Sequence, residues 1–311
     1  MRVCRTLGDV RHEPRGRALA IGVFDGVHLG HRAVIAAARQ LAESRGLAFA
    51  VLTFDPHPRS VLAPDEPASY LTGPDVKAEL IAELGAAELI VMPFTRALAR
   101  VRAERFAEVL IAPPIGAAAI AVGENFRFGN QGAGDPELLR RAGRGRSVEV
   151  VSPEMVRSDD GERISSTRIR SLVAAGDVQE AAALLGRDHL IEGPVTAGAG
   201  RGRTLGVPTA NLDLPVNQAV PAPGVYAARL VRGDDSWPAA VNVGRAPTFS
   251  DGDGALMVEA HAIGYTGPDF YGEQVRIAFR RRLRDEKRFS GPDELVTQIK
   301  RDIADAASAA G

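Results

Sequence analysis

GVFDGVHLGH, residues 22 to 31, lies where a short apolar run, 19–24, meets an amphipathic stretch. Such a run, ended by glycines and followed by helical spacing, reads as a buried strand feeding a helix. His28 and His31 are three residues apart, preceded by Gly26 and separated by Gly30. Imidazoles and bare backbone therefore gather at the mouth of a strand-to-helix turn, where N–H groups can receive a phosphate.

Working outward, the first 186 residues alternate strand and helix patterns. Strands are expected at 19–24, 47–54, 88–94, 117–123 and 148–151, and helices at 32–44, 75–84, 103–110 and 136–142. The strand runs are short and unalternating, as strands buried on both faces should be. This predicts an open, Rossmann-like parallel α/β sheet with its ligands beyond the carboxyl ends of the strands. Residues 166–185 read as helical, broken at Gly176 and Asp177, and a linker is expected near 186–189.

Past that point the texture changes. Short β segments at 190–195, 224–231, 239–243, 257–262 and 274–279 are punctuated by glycine and proline. That spacing suggests a small closed or partly closed barrel, capped by a helix over 292–307. The chain is thus divided into domains at 1–186 and 187–311. No internal repeat relates them, and the Gly/Arg-rich stretch 140–146 reads as a solvated loop.

Composition narrows the function classes. At 311 residues the chain exceeds what one core usually supports. With 38 basic against 39 acidic residues there is no global field to attract nucleic acid. The only cysteine, Cys4, excludes a disulfide framework and a cysteine-rich zinc site. No apolar run approaches the roughly 20 residues of a membrane span, and the N-terminus lacks a signal-peptide core. The expectation is a cytoplasmic protein with small-molecule partners, without nucleic acid or membrane, its oligomeric state open. Lysine occurs only at 77, 287 and 300, so arginine must supply most phosphate clamps. No Gly-Lys pair is present, which excludes a standard Walker A loop.

The form GxFDGxHxGH resembles the HxGH nucleotidyltransferases, and specifically the adenylyltransferase half of bacterial bifunctional riboflavin kinase/FAD synthetases. RISSTRIR at 163–170 is similar to that family's ISSTxIR signature, which lies opposite the histidine turn. The resemblance implies that Gly22, Phe24, Asp25, Gly26 and Gly30 shape the nucleotide site, with His28 and His31 on the ATP phosphates. It extends the phosphate-binding set to Arg163, Ser166, Thr167 and Arg168, with Arg170 beside them. FDPHP at 54–58, around His57 and Pro58, matches a family position near the nucleotide. In GENFRFG at 123–129, Asn125 matches the asparagine used at the adenylyl-transfer site.

The second domain opens with GAGRGRTLGVPTAN, 198–211, which resembles the riboflavin kinase signature GxGRxxGxPTAN. The resemblance assigns Gly200, Arg201 and Gly206 to the phosphate cradle, Thr209 to magnesium, and Asn211 to the phosphate and metal. VEAH at 258–261 is similar to the strand that carries the family's general base, here Glu259. His261, two residues on, should share its face. PGVYA at 223–227, VNVGRAPTF at 241–249 and FRRRLRDEKRF at 279–289 follow in the family's order. GYTGPDFYG, 264–272, departs from the shorter aromatic-acidic run usual after the VEAH strand.

The expected activity is phosphorylation of riboflavin to FMN, then adenylylation of FMN to FAD with release of pyrophosphate. ATP is co-substrate in both steps and Mg2+ is required. Two alternatives stand beside it: an HxGH nucleotidyltransferase for another phosphate substrate, and a non-catalytic flavin-binding module. The first leaves PTAN and VEAH without a role. The second would show as a yellow protein without turnover.

Overall fold

The computed structural model describes residues 1–66, 69–197, 207–245, 256–287 and 289–309. The chain divides into two compact units, residues 1–166 and 167–311.

The first unit is built on six parallel strands: β1 (Arg2–Cys4), β2 (Arg17–Ile21), β3 (Ala48–Asp55), β4 (Glu88–Pro93), β5 (Ala117–Ala121) and β6 (Glu149–Val151). Their order is β1-β4-β3-β2-β5-β6. Helices α1 (Leu29–Arg45), α2 (Pro58–Leu62), α3 (Pro74–Glu83), α4 (Arg96–Ala99), α5 (Ala103–Ile111) and α6 (Pro136–Gly143) connect them. β2, β3 and β4 step outward on one side, and β5 returns to the other side of β2. The switch point therefore lies between β2 and β5, where the carboxyl ends of an open sheet leave a crevice for ligands. Leu19, Ile21, Leu52, Ile90 and Ile120 are buried in the core of this unit.

At the opposite end of the strands, fully buried Arg17 donates to Glu88 Oε2 at 2.7 Å and to the carbonyls of Pro114 and Ile115. Cys4 is buried beside Glu88, and burial pushes its thiol up to about 11. A thiol so placed is chemically quiet.

In the second unit, α7 (Ser166–Ala175, from Thr167 onward) and α8 (Val178–Leu185) precede a closed antiparallel barrel. Its strands are β7 (His189–Thr196), β8 (Ala210–Leu212), β9 (Gly224–Arg232), β10 (Asp235–Arg245), β11 (Leu256–Ala262) and β12 (Gln274–Arg284). They close in the order β10-β11-β8-β7-β12-β9. Alternate residues such as Ile191, Leu230, Val241, Val258, Ala260 and Ile277 fill the interior. Helix α9 (Pro292–Ala309) packs on β9 and β10.

Both expected architectures are present, with one more strand in each, among the described residues, than the patterns indicate. β1 and β8 have three residues apiece. So short a segment carries no readable alternation and depends on its neighbours for existence.

Candidate functional sites

The 22–31 turn leaves the carboxyl end of β2 with an unusual backbone. Phe24 and Val27 have φ of 52° and 42°, and Gly26 has 86°. Non-glycine residues rarely hold the left-handed region, and it persists only where surroundings over-determine it. Here they do. Val23 O accepts from Thr53 Oγ1 at 2.9 Å and from Lys77 Nζ at 3.2 Å. Asp25 is 2 % exposed, and its Oδ1 accepts from the N–H groups of Leu71 and Thr72. Gly26 N–H donates to Thr72 Oγ1 at 3.1 Å.

His28 is the N-cap of α1: its Nδ1 accepts from His31 N–H at 3.2 Å. The helix thus begins three residues before the position expected from periodicity. An Nδ1 that accepts leaves the proton of a neutral imidazole on Nε2, which then becomes a donor. The His28 and His31 rings stack with centroids 3.5 Å apart, and Phe24 meets His31 edge-on at 5.3 Å. A Cβ at Gly30 would lie 3.2 Å from the His28 ring, so the bare residue keeps that ring in place. At Gly22 a Cβ would meet the Phe24 ring at 2.8 Å.

Ser166, 141 residues away, joins the turn by donating from Oγ to Asp25 O at 2.9 Å. Asn125 is exposed and follows β5, the strand across the switch point from β2. Phe126 and Phe128 stack with centroids 5.5 Å apart, and Phe128 packs on Phe106 of α5. His57 caps α2 by accepting from Arg59 N–H. Arg163 is exposed, bridged through its backbone to Arg157. Within the second unit, Thr167 is exposed and Arg168 pairs with Glu180 of α8 at 2.9 Å. Sequence reading missed Thr72 and Lys77, because a helix N-terminus gives no local sign of the turn it will support.

In the barrel, Thr209, Asn211, Asn242, Glu259 and His261 line one cavity of about 810 Å³, with Leu295, Ile299 and Asp302 of α9 along another wall. Glu259 pairs in register with Asn211 of β8 on one side and Asn242 of β10 on the other. With Val258 and Ala260 turned inward, Glu259 and His261 face outward together, as expected. His261 Nδ1 lies 2.8 Å from Pro208 O. Asn242 lies inside the VNVGRAPTF stretch, where its own neighbours carry no sign of a role. Gly200, Arg201 and Gly206 lie outside the described residues.

Among the described residues, the charge along this cavity is predominantly acidic. Asp213, Glu259 and Glu286 line it, whereas Arg284 and Lys287 are engaged by Asp302 and Glu294. Thr209, Asn211 and Glu259 offer the hard oxygen donors that suit magnesium. Among the described residues no group of three or more His, Cys, Asp or Glu is placed to hold a metal. An ion here would take much of its shell from phosphate and water.

A parallel sheet with a histidine turn at its switch point, followed by a closed barrel whose cavity holds Thr209, Asn211 and Glu259, defines a two-unit transferase. A family model described as FAD synthetase matches residues 10–168, and one described as riboflavin kinase matches 185–310. The chain belongs to the bifunctional riboflavin kinase/FMN adenylyltransferase family. Relatives bearing that description include proteins from Pseudomonas fluorescens, 35 % identical over 98 % of this chain and 97 % of that one, and from Listeria monocytogenes, 36 % identical over 93 % and 91 %. A solved structure from Streptococcus pneumoniae, described as a macrolide-efflux protein, superposes with a TM-score of 0.83 at 31 % identity, covering 96 % of each chain. That description stays with that protein. No helix among the described residues is long and apolar enough to cross a membrane.

Proposed function

We propose that the barrel unit transfers the γ-phosphoryl group of ATP to riboflavin and that the α/β unit joins the resulting FMN to AMP, giving FAD and pyrophosphate. The reading rests on motifs far apart in the chain that meet inside their own unit, Ser166 with the histidine turn and Glu259 with Asn211.

In the barrel, Glu259 takes the proton of the primary ribityl hydroxyl as its oxygen attacks the γ-phosphorus and ADP leaves. Asn211 and Thr209 orient the phosphates and the metal. Asn242, on the other flank of Glu259, aligns that carboxylate. Magnesium, bound with ATP, supplies charge neutralisation at the phosphates.

In the α/β unit, an FMN phosphate oxygen attacks the α-phosphorus of ATP, and the bond to the bridging oxygen of pyrophosphate breaks. The work is positioning and charge stabilisation. His28 donates from Nε2, His31 joins it at the start of α1, and the helix N-terminus adds its N–H groups. Asn125 contributes from the far side of the switch point, with Arg163 and Ser166 completing the phosphate contacts. Asp25 serves the site by holding the turn, its carboxylate satisfied by Leu71 and Thr72. The strands that carry the kinase chemistry begin near residue 187, with α8 of the same unit packed against them.

Chromatographic separation of flavins after incubation with riboflavin, ATP and Mg2+ tests this reading. FMN followed by FAD is expected. FMN alone would confine catalysis to the barrel, and no conversion would favour a flavin-binding module.

A further inference from the structure

The strained turn after β2 is gripped by the 71–77 segment at three points. The N–H groups of Leu71 and Thr72 hold the Asp25 carboxylate, the Thr72 hydroxyl holds Gly26 N–H, and Lys77 holds Val23 O. The first two contacts belong to the chain just before α3. The third comes from a side chain on α3 itself, so it couples that helix to the carboxyl end of β2.

Lys77 is unusual in this chain. Of 38 basic residues only three are lysine, so a lysine at a packed position is set against a strong bias toward arginine. Its compact ammonium carries three donors that need no planar partner, whereas a guanidinium imposes a rigid fork. The charge is also costly where it sits. Burial lowers the basicity of Lys77, and the carboxylates of Asp25 in the turn and Asp55 at the end of β3 act in the opposite direction. A part-buried lysine nitrogen that donates to the Val23 carbonyl at the ligand end of the sheet is more than a surface residue.

We propose that Lys77 is a positioning residue for adenylyl transfer: its ammonium holds the Val23 carbonyl and so fixes the backbone that carries Phe24, Gly26 and the two histidines. This rests on the reading of the α/β unit as the FMN adenylylating unit. Lys77 acts through the turn, not on the reacting atoms. Losing it displaces groups that stabilise the transition state, and small misplacements at such groups cost rate far more than binding.

The test uses the full chain with Lys77→Met and Lys77→Arg. Each is assayed for FAD formation from FMN and ATP, for FMN formation from riboflavin, and for thermal unfolding. Expected for a variant melting within about 5 °C of the wild type is a kcat for FAD formation lowered by about tenfold or more, KM for FMN and ATP unchanged, and FMN formation unchanged. A wild-type kcat in either folded variant, or a loss confined to KM, overturns the assignment. Unfolding of the α/β unit in both variants also overturns it, by making the lysine merely structural. If the wild-type protein forms no FAD, it is the reading of the unit that fails, which the same assay records separately.

Discussion

The Ser166 hydroxyl donates to the carbonyl oxygen of Asp25 at 2.9 Å, so the first residue of α7 grips the middle of the turn that presents His28 and His31. Two motifs 141 residues apart thereby become one surface. A hydrogen bond of this kind contributes about 0.5–1.5 kcal/mol. Ser166→Ala should lower kcat for FAD formation by about tenfold, corresponding to about 1.4 kcal/mol, with FMN formation untouched. Steady-state rates of the two steps on one sample check this.

Glu259→Ala should remove most FMN formation, by a factor on the order of 10²–10⁴ as for loss of a general base, while FAD still forms from supplied FMN. His31→Ala should do the reverse. If either substitution abolished both activities in a folded protein, the assignment of one activity to each unit would fail.

The barrel is expected to need more than residues 187–311. Val178 of α8 is buried in the barrel core, and Leu184 and Leu185 are buried on the same helix, which packs on β7 and β12. α7 adds backbone ties: Ala222 N–H donates to Val173 O, and Arg282 donates to Ala175 O. Burying one such aliphatic side chain stabilises by about 1.5–3 kcal/mol. A fragment starting at 167 should therefore melt at least about 5 °C above one starting at 187, and should keep kinase activity. Equal melting would show the two helices to be dispensable.

Helix α9, one wall of the cavity, is tied down at its start by Glu294. Ser290 N–H donates to its carboxylate, with Lys287 and the Ser290 hydroxyl adding further bonds, and the carboxyl is held down at about 2 against an ordinary 4.5. An acid depressed in the folded state contributes stability that is fully present above 4.5 and is lost as pH falls through 2. Glu294→Gln should flatten that part of the acid-side decline in melting temperature. An unchanged slope would mean that the carboxylate is not coupled to folding.

Much of this was readable from residues in order. The run 19–24 predicts β2 and the turn that follows it, and VEAH predicts that His261 shares a face with Glu259. α1 begins three residues before its periodicity indicates, because a histidine is not among the usual N-cap residues. β8, overlapping PTAN, has no readable signal, since three residues carry no period. Lys77 and Asn242 are silent in the sequence for another reason: nothing in their neighbours signals what they will touch.

Local chemistry in the sequence determined the alternation of elements, the change from α/β to barrel, and the residue types at each motif. These depend on spacing along the chain, which folding does not alter. Only the tertiary structure decided that β5 returns beside β2 to open a crevice, that Glu259 stands between Asn211 and Asn242, and that Ser166 and the 71–77 segment grip one strained turn. Strand order and register are set by long-range packing, and a side chain's partner across a sheet exists only once both strands are in place.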